Sequence, residues 1–129
     1  MNNTAPKNQT LLLVEDDYDI RAMLVMLLDM EGYDVARAAN GQEALNLLRE
    51  GLRPNLILLD LMMPVMNGWQ FREATLQEPD FASIPIIVIS GDGRSAAQHM
   101  AGQVACFLKK PLDLDELLSK IDEFALPIA

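Results

Sequence analysis

The sequence predicts an α/β protein: one doubly wound, five-stranded parallel sheet of order 2-1-3-4-5 carrying five helices on its two faces. Three observations predict it. Short, continuously apolar runs alternate with segments whose apolar residues recur at helical spacing, as in strands buried on both faces and joined by right-handed crossovers. The reactive polar residues stand at the C-terminal ends of those runs. Finally, 129 residues at 50% hydrophobic content suit a single domain with a real core and exclude a disordered chain.

Each element follows in order. Residues 1–9 are polar and read as a flexible arm, leaving 10–126 as the folded domain. Leu11 to Val14 is the first strand, stopped by Glu15-Asp16-Asp17. Ile20, Met23, Leu24, Leu27 and Leu28 mark the first helix, which runs up to Gly32. Tyr33 to Ala38 is a second, weaker strand. Asn40 caps the next helix with Glu43 as its capping-box partner, and Gly51 ends it. Leu56 to Leu59 is the third strand, ending in Asp60. A turn-rich loop through Gly68 leads to a helix over Trp69 to Leu76.

Pro79 and Pro85 bracket a stretch expected to be irregular. Ile86 to Ile89 is the fourth strand, ending in Ser90. A Gly91-Asp92-Gly93 loop and a weak helix near Ser95 to Met100 follow. Ala105 to Leu108 is the fifth strand, ending in Lys109-Lys110-Pro111. Asp113 caps a last amphipathic helix carrying Leu114, Leu117, Leu118, Ile121 and Phe124, and Pro127 closes the fold.

Charge and composition narrow the function. Ten basic against nineteen acidic side chains leave a net charge of -9, with no basic cluster beyond Lys109-Lys110, which argues against direct nucleic-acid binding. The apolar runs are too short to span a bilayer, and the polar N-terminus lacks a signal-peptide core, so no membrane role and a cytoplasmic location are expected. The single cysteine, Cys106, forbids an internal disulfide.

In an open parallel sheet the C-terminal strand ends form one edge, with the ligand site at the switch point between strands 1 and 3. That edge gathers Glu15, Asp16, Asp60, Ser90 and Lys110. Two carboxylates about 4 Å apart repel by roughly 4 kcal/mol at an effective dielectric of about 20, so a cluster of them needs a shared proton, a lysine or a hard cation. Oxygen-only ligands favour Mg²⁺. Acids, a cation, an ammonium and a hydroxyl form a cradle for a phosphoryl group, with Asp60 as the nucleophile.

Four motifs in order then identify a resemblance: Leu13-Val14-Glu15-Asp16-Asp17, Leu59-Asp60-Leu61-Met62-Met63-Pro64 with Gly68, Ile89-Ser90-Gly91, and Phe107-Leu108-Lys109-Lys110-Pro111. Over residues 10 to 125 the chain resembles the receiver domain of two-component response regulators. The resemblance implies a flavodoxin/CheY-like fold and a signalling switch, not an enzyme beyond self-catalysed phosphoryl transfer and autodephosphorylation. It implies that Asp60 accepts phosphate from a histidine kinase or phosphotransfer protein. Asp16, Asp60 and Glu15, with the backbone carbonyl of Met62, would hold Mg²⁺, while Asp17 points elsewhere. Lys110 precedes a proline that is cis in the family. Ser90 and Phe107 match the switch pair, and Met62 and Asp92 match positions that tune phosphoryl lifetime. The output partner is unknown. It is expected on the face of the 95–100 helix, the fifth strand and the last helix, with the chain a monomer or weak dimer.

Three features depart from the family pattern. Gly102 lies one residue before the usual glycine position, occupied here by Gln103; Phe107 replaces a common tyrosine; and Cys106 replaces a small polar residue. The start at Met1 and the lack of a linker tail favour a stand-alone switch over a receiver excised from a hybrid kinase or larger regulator. A phosphohydrolase using an aspartyl phosphate needs a second acid two residues after the nucleophile, where Met62 stands. A flavin phosphate would be repelled by Glu15-Asp16-Asp17. His99 is expected on an exposed helix face, Cys106 as a small buried hydrophobe, and Trp69 in packing. Met23, Met26 and Met30 are expected mostly to fill core and interfaces, with part of the row open to a helical partner.

Overall fold

The structure, a computed structural model, describes residues 9–61, 63, 65–91 and 102–127. Five strands form one sheet: β1 (Thr10–Val14), β2 (Asp34–Ala38), β3 (Leu56–Asp60), β4 (Ile86–Ser90) and β5 (Cys106–Lys109). Every neighbouring pair is parallel, in the order β2-β1-β3-β4-β5. The described residues also hold five helices: α1 (Tyr18–Met30), α2 (Gly41–Arg49), α3 (Gly68–Leu76), α4 (Pro79–Ala82) and α5 (Leu114–Phe124).

Side-chain alternation divides the core. Leu12, Val14, Ile57, Leu59, Ile86 and Val88 face α2, α3 and α4, where they meet Ala44, Leu45, Leu48, Phe71 and Phe81. Leu11, Leu13, Leu56, Leu58, Ile87 and Ile89 face α1 and α5, packing on Leu24, Leu28, Leu117 and Ile121. Each fully buried aliphatic side chain stabilises the fold by roughly 1.5–3 kcal/mol, which is why the central strands read as unbroken apolar runs.

Helix starts follow local chemistry. Asp17, Asn40, Asn67 and Asp113 each accept a backbone N–H from three residues on, and Asn67 with Gln70 completes a capping box. The stretch expected to be irregular between Pro79 and Pro85 instead contains the short helix α4: Pro79 at its first position has a preset φ and needs no N–H partner. α1 ends at Met30 with Glu31 as its C-cap, and Gly32 stops it at a φ of 95°, as expected. Two boundaries differ by one residue. α3 opens at Gly68. β5 is shifted one residue towards the C-terminus, although the Ala105 N–H still donates to the Ile86 carbonyl at 2.8 Å. The helix expected near Ser95 to Met100, with His99, lies outside the described residues.

The methionine row is corrected as core filler. Met23, Met26 and Met30 are exposed by 49%, 56% and 63%, because Leu24 and Leu28 already define the buried face of α1. Cys106 is half-buried on the α1–α5 side, where burial pushes its thiol pKa up. Trp69 is half-buried and packs on the α2–α3 side, as expected.

The opposite edge of the sheet is closed by Asn55. It accepts the Thr10 N–H at 2.8 Å through its side chain and donates its own N–H to the Thr10 carbonyl at 2.7 Å. It also exchanges bonds with Leu126: its carbonyl accepts the Leu126 N–H at 2.9 Å and its side-chain amide donates to the Leu126 carbonyl at 3.0 Å. Gln9 donates to the same carbonyl at 3.1 Å.

Candidate functional site

Strand parity decides which acids are buried. Glu15 continues the alternation of Leu11 and Leu13, and its N–H extends the β1–β2 ladder to the Ala38 carbonyl at 3.0 Å. Asp60 continues the alternation of Leu56 and Leu58 on the neighbouring strand. Both side chains therefore fall on the same side of the sheet; Glu15 and Asp60 are buried, whereas Asp16 is exposed.

Carboxylate oxygens of Glu15, Asp16 and Asp60 all lie within 4.8 Å of one another. Lys110 reaches the same place from beyond β5. Its ammonium lies 3.5 Å from Asp60 Oδ2 and 3.7 Å from Glu15 Oε1. Its N–H donates to the Ser90 carbonyl at 3.0 Å, and its peptide bond to Pro111 is cis. Ser90 is buried at the end of β4. Phe107 is half-buried and packs with Val104 against the α2–α3 side of the core. Met62 and Asp92 lie outside the described residues.

Burial pushes the Glu15 carboxyl up to about 7. The Asp17 N–H, donating to Glu15 Oε2 at 3.1 Å, opposes that shift. Asp60 adds to it by hydrogen bonding and charge, and Lys110 opposes it. Among the described residues, the Lys110 ammonium thus offsets the carboxylate cluster only in part. Among the described residues the donor set of the cluster is all oxygen, Glu15, Asp16 and Asp60, and so fits a hard divalent cation.

Three positioning features were not among the expected site residues. Arg21 donates to the carbonyls of Glu15 at 2.7 Å and Asp16 at 3.4 Å, tying down the acidic loop. An arginine in the first turn of a helix opposes the macrodipole, and that was the readable sign that it serves a specific partner. The loop after Asp60 is held at both ends by glycines. The Gly41 N–H donates to the Met66 carbonyl at 3.0 Å, and a Cβ on Gly68 would sit 2.9 Å from Leu61 Cα and 3.2 Å from the Asp60 carbonyl oxygen. Between them Val65 takes a φ of 68°, rare for a β-branched residue, while 79% exposed. At β5, Gly102 carries the left-handed turn, with a φ of 80°, so Gln103 needs no glycine.

Comparison with known proteins agrees with this geometry. The family model described as response regulator receiver domain matches residues 11–122. Response regulator Rre1 of Synechocystis sp. is 35% identical over 111 residues, covering 84% of this chain and 48% of Rre1. The CpxR homolog of Haemophilus influenzae, a transcriptional regulatory protein, is 36% identical over 114 residues, covering 86% of this chain and 48% of its own. The chain thus spans about half the length of these curated relatives. Among solved structures, Vibrio cholerae chemotaxis protein CheY4 superposes with a TM-score of 0.83 at 29% identity, covering 90% of this chain and 98% of CheY4. A response regulator receiver protein from Pseudomonas putida gives 0.82 at 30% identity, covering 92% and 99%.

Proposed function

The chain belongs to the response regulator receiver domain family, and from that premise we propose that Asp60 is its phosphoacceptor, loaded from a phosphohistidine of a histidine kinase or phosphotransfer protein. One observation carries the reading: the Lys110 ammonium stands 3.5 Å from Asp60 Oδ2 beside the carboxylates of Glu15 and Asp16. In the transfer an Asp60 carboxylate oxygen forms the new P–O bond as the P–N bond of the donor imidazole breaks, and the imidazole nitrogen keeps the electron pair. Lys110 pairs with the equatorial oxygens of the phosphoryl group, and the Ser90 hydroxyl donates to one of them.

Asp16, Asp60 and Glu15, with the Met62 backbone carbonyl, would hold Mg²⁺. When bound, the ion supplies charge neutralisation for the incoming phosphoryl oxygens. Phosphorylation adds about two negative charges and three acceptor oxygens beside Ser90 and Lys110. Engagement of Ser90 draws the end of β4 inward, and Phe107 on the adjacent strand turns with it, changing the surface offered to an output protein. Met62 and Asp92 set the lifetime of the adduct.

On the donor side, the exposed row Met23, Met26 and Met30 supports docking of a helical phosphodonor along α1. Met23 also walls an apolar cavity of about 270 Å³ that opens beside Glu15 and Lys110. No helix among the described residues is long and apolar enough to cross a membrane. The switch is proposed to act in the cytoplasm as a monomer or weak dimer, passing its state to a protein rather than touching DNA itself.

The test is incubation with acetyl phosphate and MgCl₂ followed by intact-mass measurement. The expected result is one phosphoryl group per chain, labile to base, and none in Asp60→Asn. An adduct that persists in Asp60→Asn, or no adduct on the wild type with any phosphodonor, overturns the assignment.

A further inference from the structure

Arg72, on α3, is only 8% exposed. Its guanidinium donates to three neutral acceptors on separate segments: the Gln103 carbonyl at 2.7 Å, Thr75 Oγ1 at 3.3 Å and the Ala82 carbonyl at 3.3 Å. It has more N–H donors than these acceptors use. Among the described residues no carboxylate pairs with it, although the chain carries 19 acids. Burial lowers its pKa, yet a guanidinium stays charged, so a cation is kept out of water without a counter-charge.

The same side chain lines a cavity of about 230 Å³ at the N-terminal edge of β4 and β5. Among the described residues its other walls are the 82–86 and 102–105 segments, and none of these lining residues is acidic. Its size is below the roughly 300–1,000 Å³ of sites for drug-sized molecules. A positive, acid-free cavity of that size calls for a small anion.

We propose that this cavity is a binding site for a small tetrahedral oxyanion, of the sulfate or inorganic phosphate class, held by the Arg72 guanidinium with the Ser83 hydroxyl at its mouth. The site is separate from the Asp60 centre: it lies at the Ile86 end of β4, about 13 Å along the strand from Ser90 at roughly 3.3 Å per residue. A bound oxyanion would bridge α3 to the segment that feeds β5, the strand carrying Phe107, and so bias the switch from outside the acceptor site.

The probe is sodium sulfate, which cannot phosphorylate Asp60, titrated at constant ionic strength against sodium chloride and followed by backbone-amide NMR. The expected result is saturable shifts at Ser83, Gln103 and Val104. Affinity should fall about tenfold or more in Arg72→Met and less in Arg72→Lys, which keeps the charge but not the fork. The wild-type titration stands alone if Arg72→Met fails to fold. No saturable shift at those amides, equal shifts with chloride, or an unchanged titration in folded Arg72→Met overturns the proposal.

Discussion

Replacing Glu15 by glutamine should make the protein more stable at neutral and alkaline pH and leave it nearly unchanged in acid. The Glu15 carboxyl rises from an ordinary 4.5 to about 7 in the fold, first through burial and then through Asp60. Between those values the folded chain binds a proton that the unfolded chain has lost. Stability therefore falls as pH rises through this window. A displacement of about 2.5 pH units at about 1.36 kcal/mol each amounts to roughly 3 kcal/mol, fully lost above about pH 7. Glutamine does not titrate, keeps an oxygen for the Asp17 N–H, and can donate to Asp60. Urea unfolding of wild type and Glu15→Gln, metal-free, from pH 5 to 8.5 measures the difference, in which groups remote from Glu15 cancel while Asp60 and Lys110, in contact with it, titrate as part of the same unit. The variant should gain about 3 kcal/mol relative to wild type across that range. A pH-independent difference, or a variant less stable than wild type at pH 8, would refute the reasoning.

Further outcomes follow from the same geometry. MgCl₂ should raise the wild-type unfolding free energy at pH 8 by about 2.7 kcal/mol at a hundredfold excess over its dissociation constant, and far less in Asp16→Asn, read by urea titration. Gly68→Ala should cost roughly 1–3 kcal/mol and slow phosphorylation by acetyl phosphate, since its Cβ meets the Leu61 backbone at 2.9 Å and crowds the Asp60 carbonyl at 3.2 Å. Val65→Asn should stabilise the chain by about 1 kcal/mol in thermal unfolding, because asparagine tolerates the left-handed conformation and the valine, 79% exposed, loses little packing.

Much of this was legible in the residue order because parallel topology is a strong constraint. Once Leu11–Val14, Leu56–Leu59 and Ile86–Ile89 are read as strands buried on both faces, their C-terminal ends must share an edge. Glu15, Asp60 and Ser90 then share it too, with Lys110 just past β5. Less visible were features decided by parity and long-range packing. That Glu15 is buried while Asp16 is exposed depends on which face each follows, and the Glu15 shift depends on that burial. Met23, Met26 and Met30 have the spacing of a core stripe, but Leu24 and Leu28 took the core. Arg72 carries no signal in the residue order, because an arginine in a helix is normally solvated and its acceptors at Ala82 and Gln103 are remote in sequence. The short helix at Pro79–Ala82 has too few residues for any periodicity to show.

The clasp around Asn55 has a use in engineering. Because Gln9 and Leu126 are hydrogen-bonded neighbours at the edge away from Asp60, a short peptide could join them and new termini be opened elsewhere without crossing the Asp60 edge. A fluorescent reporter or a surface tether attached at either point would hang from the rear of the molecule, leaving the Asp60 face open.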